Sequence, residues 1–198
     1  MSITYPLYPQ FRDIDLKMKD PTISHRAQNG RRIARKVSGQ LWSFVLTYPP
    51  MKRESFYPVI GALAKARGEY DTFTIIPPNL ATPIGTQTTT VNVGGNYSAG
   101  TAAVVLSGGT VGATLKAGDV LKFSNHTKVY MVTDDLTVGG AGTATVNITP
   151  PLVSAVTTSH TIQFSDVPFT VALVNELQEI KANVAGYYSY ELDVEEVY

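Results

Sequence analysis

Between Pro78 and Asp166 the chain alternates short β-forming runs with glycine-rich turns, and this rhythm limits its possible folds more than any other feature. The runs fall at residues 88–93, 102–106, 120–123, 129–133, 144–148 and 161–164, with Gly94-Gly95, Gly108-Gly109 and Gly139-Gly140 among the breaks. Regularly spaced short strands with such turns predict a small sandwich or barrel. Composition marks its borders. Residues 81–165 hold only 6 charged residues but 17 threonines and 11 glycines. β-branched threonine suits a pleated surface and keeps it soluble without charge. Tyr97, Phe123, Tyr130 and Phe164 are the aromatics of this module, and the last three read as core.

The flanks follow different patterns. Pro6, Pro9 and Pro21 punctuate residues 1–24, where Ile14, Leu16 and Met18 alternate with Asp15 and Lys17 and predict one strand. Asn29-Gly30 signals a hairpin turn, because both residues tolerate positive φ. A basic cluster of Arg31, Arg32, Arg35 and Lys36 follows, then a β-rich run from Trp42 to Tyr48 with Trp42, Phe44 and Leu46 on one face. Pro49-Pro50 ends that strand, since neither proline can donate to a ladder.

The spacing of Phe56, Val59, Ile60 and Leu63 predicts a helix over 52–67. Pro58 either kinks it or marks its first turn. Lys65 and Arg67 suit the negative helix end, and Gly68 is the expected stop. Residues 69–76 read as a strand closed by Pro77-Pro78. Beyond the module, 167–174 read as a strand, and 178–184 with 187–197 as a long hairpin turning at Ala185-Gly186. In its last strand Tyr188, Tyr190, Leu192, Val194 and Glu196 share one face, and Glu191, Asp193 and Glu195 take the other. The terminal Glu195-Glu196 pair reads as a solvated tail.

The predicted fold class is therefore mainly β with one substantial helix near 52–67. A domain split between residues 1–79 and 166–198 surrounds an inserted β-module at 80–165. Charge is divided the same way. Residues 1–80 hold 12 Lys and Arg against 6 Asp and Glu, and residues 166–198 hold 1 against 7, while the whole chain is neutral. A basic part and an acidic part attract each other, within one subunit or between neighbours.

No pattern of catalysis emerges. There is no cysteine, which removes disulfides, thiolate metal sites and cysteine nucleophiles. His25, His126 and His160 are far apart and lack metal-ligand spacing. His126 reads as part of a turn, and Asp134-Asp135 as turn chemistry. The glycines match no phosphate loop. No catalytic, cofactor or metal residue is expected, and the chain is expected not to be an enzyme. Its low-charge, hydroxyl-rich module keeps sugar binding open, at a host surface glycan. Four charges in six residues, in a neutral protein, argue for a basic subunit contact over nucleic-acid readout. No apolar run reaches the roughly 18–20 residues that span a bilayer, and residues 1–10 lack a secretory pattern, so cytoplasmic synthesis without membrane insertion is expected.

Gly30–Arg35 (GRRIAR), Trp42-Ser43-Phe44, Tyr48 to Met51 (YPPM), Arg67-Gly68 and Tyr70 to Phe73 (YDTF) resemble the N-terminal part of distal tail and minor tail proteins of tailed bacteriophages. Leu115 to Phe123 (LKAGDVLKF), Lys128 to Thr133 (KVYMVT) and Ile148 to Leu152 (ITPPL) resemble their β-modules, and Pro168 to Val171 (PFTV) with residues 188–197 their closing strands. The resemblance implies a structural virion component: a ring-forming β-barrel domain, commonly hexameric, that joins the tail tube to the tip or baseplate. Its partners would be copies of itself and other tail proteins such as the tube and the tip or hub. A receptor-binding module of the tip, or a terminator or head-to-tail joining ring, is the alternative. Arg31, Arg32, Arg35, Lys36, Lys52, Arg53, Lys65 and Arg67 on the basic side, with Glu191, Asp193, Glu195 and Glu196 on the acidic side, are the expected subunit interface.

Overall fold

The structure is a computed structural model that describes residues 3–6, 10–37, 39–176 and 179–198, without the side chains of residues 3 and 4. Pro9 and the expected hairpin start at Gln178 lie outside the described residues. Among the described residues the chain is mainly β with one helix. It divides into two compact units. One comprises Met1–Leu7, Thr72–Val171 and Val197–Tyr198; the other comprises Tyr8–Asp71 and Ala172–Glu196.

In the first unit, six strands close into a barrel: Val91–Val93, Ala103–Ser107, Val120–Phe123, Val129–Val132, Thr143–Thr149 and Thr161–Gln163. One lies on each predicted β run of the module. Around the barrel, Val120–Phe123 pairs antiparallel with Val129–Val132, then come Thr143–Thr149, Ala103–Ser107, Val91–Val93 and Thr161–Gln163, which returns to Val120–Phe123. The two-residue ladder of Thr114–Leu115 with Leu136–Thr137 was too short to show as a period.

The pleat sends alternate residues inward. Val104 and Leu106 on one strand and Val146 and Ile148 on another are buried, while Thr143 and Thr145 face out. Phe123, Tyr130 and Phe164 fill the interior as expected, with Phe123 and Tyr130 edge-to-face at 5.3 Å. Beside the barrel, Ile3–Thr4 pairs parallel with Phe73–Ile75, whose other edge pairs antiparallel with Phe169 to Val171.

A buried carboxylate ties the entry segment to this barrel. Asp119 accepts hydrogen bonds from the backbone amides of Ile84 at 2.7 Å, Lys116 at 2.8 Å and Gly85 at 3.2 Å. The approach is so close that a Cβ on Gly85 would run into the Thr114 carbonyl oxygen. Three donors converging on one buried acid satisfy it without a counter-ion.

His126 follows the predicted turn, but its ring is buried against Phe123 and Tyr130. The Tyr130 hydroxyl accepts from the Val153 amide at 3.1 Å and shares a hydrogen bond with Nδ1 of His126, 2.8 Å away. Burial, and then the charge of His160, hold the His126 imidazole below its ordinary range.

The second unit is built on Leu41–Thr47. This strand pairs antiparallel with Asp13–Lys19 on one edge and Glu191–Glu196 on the other. Trp42, Phe44 and Leu46 are buried as expected, joined by Leu192 and Val194 from its neighbour. The helix spans Arg53–Ala66, preceded by a two-residue strand, Met51–Lys52, that the double proline had concealed. Its buried stripe is Phe56, Val59, Ala62, Leu63 and Ala66, with Ile60 half-buried at its margin. Phe56 stacks on Tyr188 at 5.5 Å and tilts against Tyr190 at 5.8 Å.

Pro58 lies inside the helix, beyond its first turn, and removes the amide that the Glu54 carbonyl would accept. Arg67, not Gly68, is the first left-handed residue at the helix end, with φ 52°. Its guanidinium explains why a larger residue is held there: Nε donates to Asp71 at 2.8 Å and Nη2 to the same oxygen.

The expected closing hairpin exists but changes partners at Tyr190. Tyr187–Ser189 pairs with Lys181–Ala182 and with Met51–Lys52, whereas Glu191–Glu196 pairs with Leu41–Thr47.

Two outcomes follow from the barrel. Asp119→Ala leaves three inward-facing amides without their acceptor, and it should lower unfolding stability by about 2–4 kcal/mol in urea denaturation. For His126 the folded-state pKa is lowered, so its contribution is fully present above the unfolded value of 6.5 and is lost as pH falls below it. The melting temperature should drop more steeply from pH 7 to pH 5 in the natural chain than in His126→Gln.

Candidate interface surfaces

The basic cluster lies on a hairpin of Thr22–Arg26 and Arg32–Lys36, and every residue of both strands is exposed. The turn differs from the one expected. Only Gly30, at φ 80°, uses the left-handed region, and its amide donates to the Ala27 carbonyl at 2.9 Å. The Asn29 side chain instead accepts from the Arg31 amide at 3.1 Å.

The cross-strand pairs Ile23↔Arg35 and His25↔Ile33 share one face, and Thr22↔Lys36, Ser24↔Ala34 and Arg26↔Arg32 the other. Two like charges therefore sit directly opposite at Arg26 and Arg32, which destabilises the pair. Lys36 reaches Asp20 at 3.2 Å. Among the described residues no carboxylate pairs with Arg31, Arg32 or Arg35.

The helix presents fewer free cations than its sequence suggests. Arg53 stacks over Tyr57 at 4.4 Å and Arg67 over Tyr70 at 4.6 Å. Arg67 also holds Asp71, whose carboxyl this hydrogen bond keeps below the usual carboxylate range. Lys52 occupies the N-cap position, and Lys65 is exposed in the last turn.

The four acids of the last strand separate. Glu195 binds Lys19 at 3.3 Å. Glu196 is buried and accepts from the Trp42 amide at 3.4 Å, so the reading of a solvated terminal pair fails there: the pleat turns it inward with Leu192 and Val194. Glu191 and Asp193 instead line a groove of about 760 Å³, with Glu69, Glu176, Glu179, Lys181, Tyr48 and Tyr190. Burial first, then Tyr48 and Asp193, push the Tyr190 phenol well above its ordinary range, so it stays neutral in this groove. Sequence reading missed Glu69, Glu176 and Glu179 as groove residues. They come from separate segments, and the acidic surplus of residues 166–198 was the available signal.

The Asp134-Asp135 pair is held by local partners. Asp134 is occupied by Thr133 and Asn147, and Asp135 by Lys116 and the Ala117 amide. Among the described residues no group of three His, Asp or Glu is placed to hold a metal ion.

Residues 82–167 match the family described as distal tail protein pb9, B domain. The chain is also 26% identical, over 175 residues, to the distal tail protein pb9 of Escherichia phage T5, covering 87% of this chain and 84% of that relative. The chain is thus similar to a phage distal tail protein along most of its length. The matched B domain takes in all six strands of the closed barrel.

If the basic hairpin serves contacts and not the core, replacing residues 22–36 by a short Gly-Ser link should leave the unfolding free energy from urea denaturation within about 1 kcal/mol of the natural chain. A larger loss would place the hairpin in the fold itself.

Proposed function

We propose that this chain is a structural subunit of a phage tail, forming a six-fold ring that joins the tail tube to the tip or baseplate. The observation that carries this is the similarity to a distal tail protein along 87% of the chain, together with the B-domain match. The protein is then a component of the virion, made in the host cytoplasm, and its work is contact with copies of itself and with neighbouring tail proteins.

The surfaces support a role in assembly. A basic hairpin exposed on both faces and an acidic groove lie on one chain of zero net charge. Opposite patches of this kind steer association and fix register more than they add raw affinity. Such a role uses no cofactor and no catalytic residue.

Native mass spectrometry at micromolar concentration tests the ring. A species at six times the 21.4 kDa chain mass is expected, weakening as ionic strength rises. A chain that stays monomeric alone and in the presence of its tail-tube neighbour would refute the reading.

A further inference from the structure

We propose that the basic hairpin of one copy seats its turn end in the acidic groove of the next copy, so that subunits join head to tail. This rests on the ring reading and names the contact that builds it. The donor is residues 22–36, whose two strands pair only with each other. A lone two-stranded hairpin is marginal in water, and this one adds Arg26 opposite Arg32. It also leaves Ile23 and Ile33 on the same face, 66% and 57% exposed. A partner that supplies carboxylates and an apolar floor would offset all three costs.

The groove supplies both. Glu69, Glu191 and Asp193 provide the charge, and the rings of Tyr48 and Tyr190 provide the floor. A volume of about 760 Å³ admits a turn and a few side chains, not a domain. The arginine-rich end of the hairpin, from Arg26 through Gly30 to Arg32, fits that limit. Arginine's planar fork suits carboxylate partners.

The occupant is a second copy because the charges are complementary and, in its own chain, the described residues leave Arg31, Arg32 and Arg35 without a carboxylate. A contact between two different patches of identical chains is heterologous, and it closes into a ring when the rotation allows.

The chain has no cysteine, so single thiols can be placed without interference. Asn29→Cys puts one on the hairpin turn and Ser189→Cys one on the groove. With a short bismaleimide, the mixture of the two variants should give a covalent dimer that neither gives alone. The double variant should give a ladder ending at the ring. In parallel, Arg31→Glu with Arg32→Glu, or Glu191→Lys with Asp193→Lys, should each weaken assembly at least about tenfold, and mixing the two should restore it.

Turn-to-turn cross-links in Asn29→Cys alone would overturn the proposal. So would a natural ring mass with no mixed dimer, which would leave the ring reading standing. Absence of any assembly, alone or with the tube neighbour, would overturn both. Circular dichroism confirms that each variant is folded. A hairpin reversal that leaves the ring intact but abolishes retention of a single-stranded oligonucleotide would assign the arginines to nucleic acid instead, and would also overturn it.

Discussion

The pairing of Leu41–Thr47 with Glu191–Glu196 is the constraint on which the second unit depends. It joins residues about 150 positions apart, as in the contact of the Ser43 hydroxyl with the Val194 carbonyl. Closing so long a loop costs entropy that rises only slowly with length, and burial of Trp42, Phe44, Leu46, Leu192 and Val194 offsets it. Once that seam is made, the intervening chain has both ends fixed. Phe56 then brings the helix onto Tyr188 and Tyr190 from the adjoining stretch. One seam thus organises the central strand, the helix and the wall of the acidic groove.

The barrel solves a different problem. Its surface lacks the charge that usually keeps a domain soluble, so it relies on outward threonines and on a core complete within the module itself. Closing the sheet leaves no edge strand to pair with another chain. Three of the polar groups that go inside are matched locally: Asp119 to three amides, Gln87 to the Thr89 side chain and the Thr110 amide, and the Tyr130 hydroxyl to His126 and Val153.

Much of this was legible in the residues. The six barrel strands, the helix and the central strand all announced themselves through period and punctuation, because burial on one face writes a repeat into the sequence. What escaped depended on partners. Alternation puts Glu196 on the face of Leu192 and Val194, but a carboxylate beside Glu195 reads as solvated until its partner, the Trp42 amide, is known. Gly68 reads as the helix stop, but Arg67 takes the left-handed position because Asp71 holds its guanidinium. The acidic groove gathers residues from several segments, and no spacing rule connects Glu69 to Glu191.

The neck of the B domain has a consequence for how such proteins diversify. Ala81 and Val167, at its entry and exit, are joined by a backbone hydrogen bond of 3.3 Å. Chain ends that close together make domain insertion tolerable. The barrel is therefore attached like a cartridge on a two-strand stem. Another module with equally close ends, or a plain turn, fits the same stem without altering the Leu41–Thr47 seam.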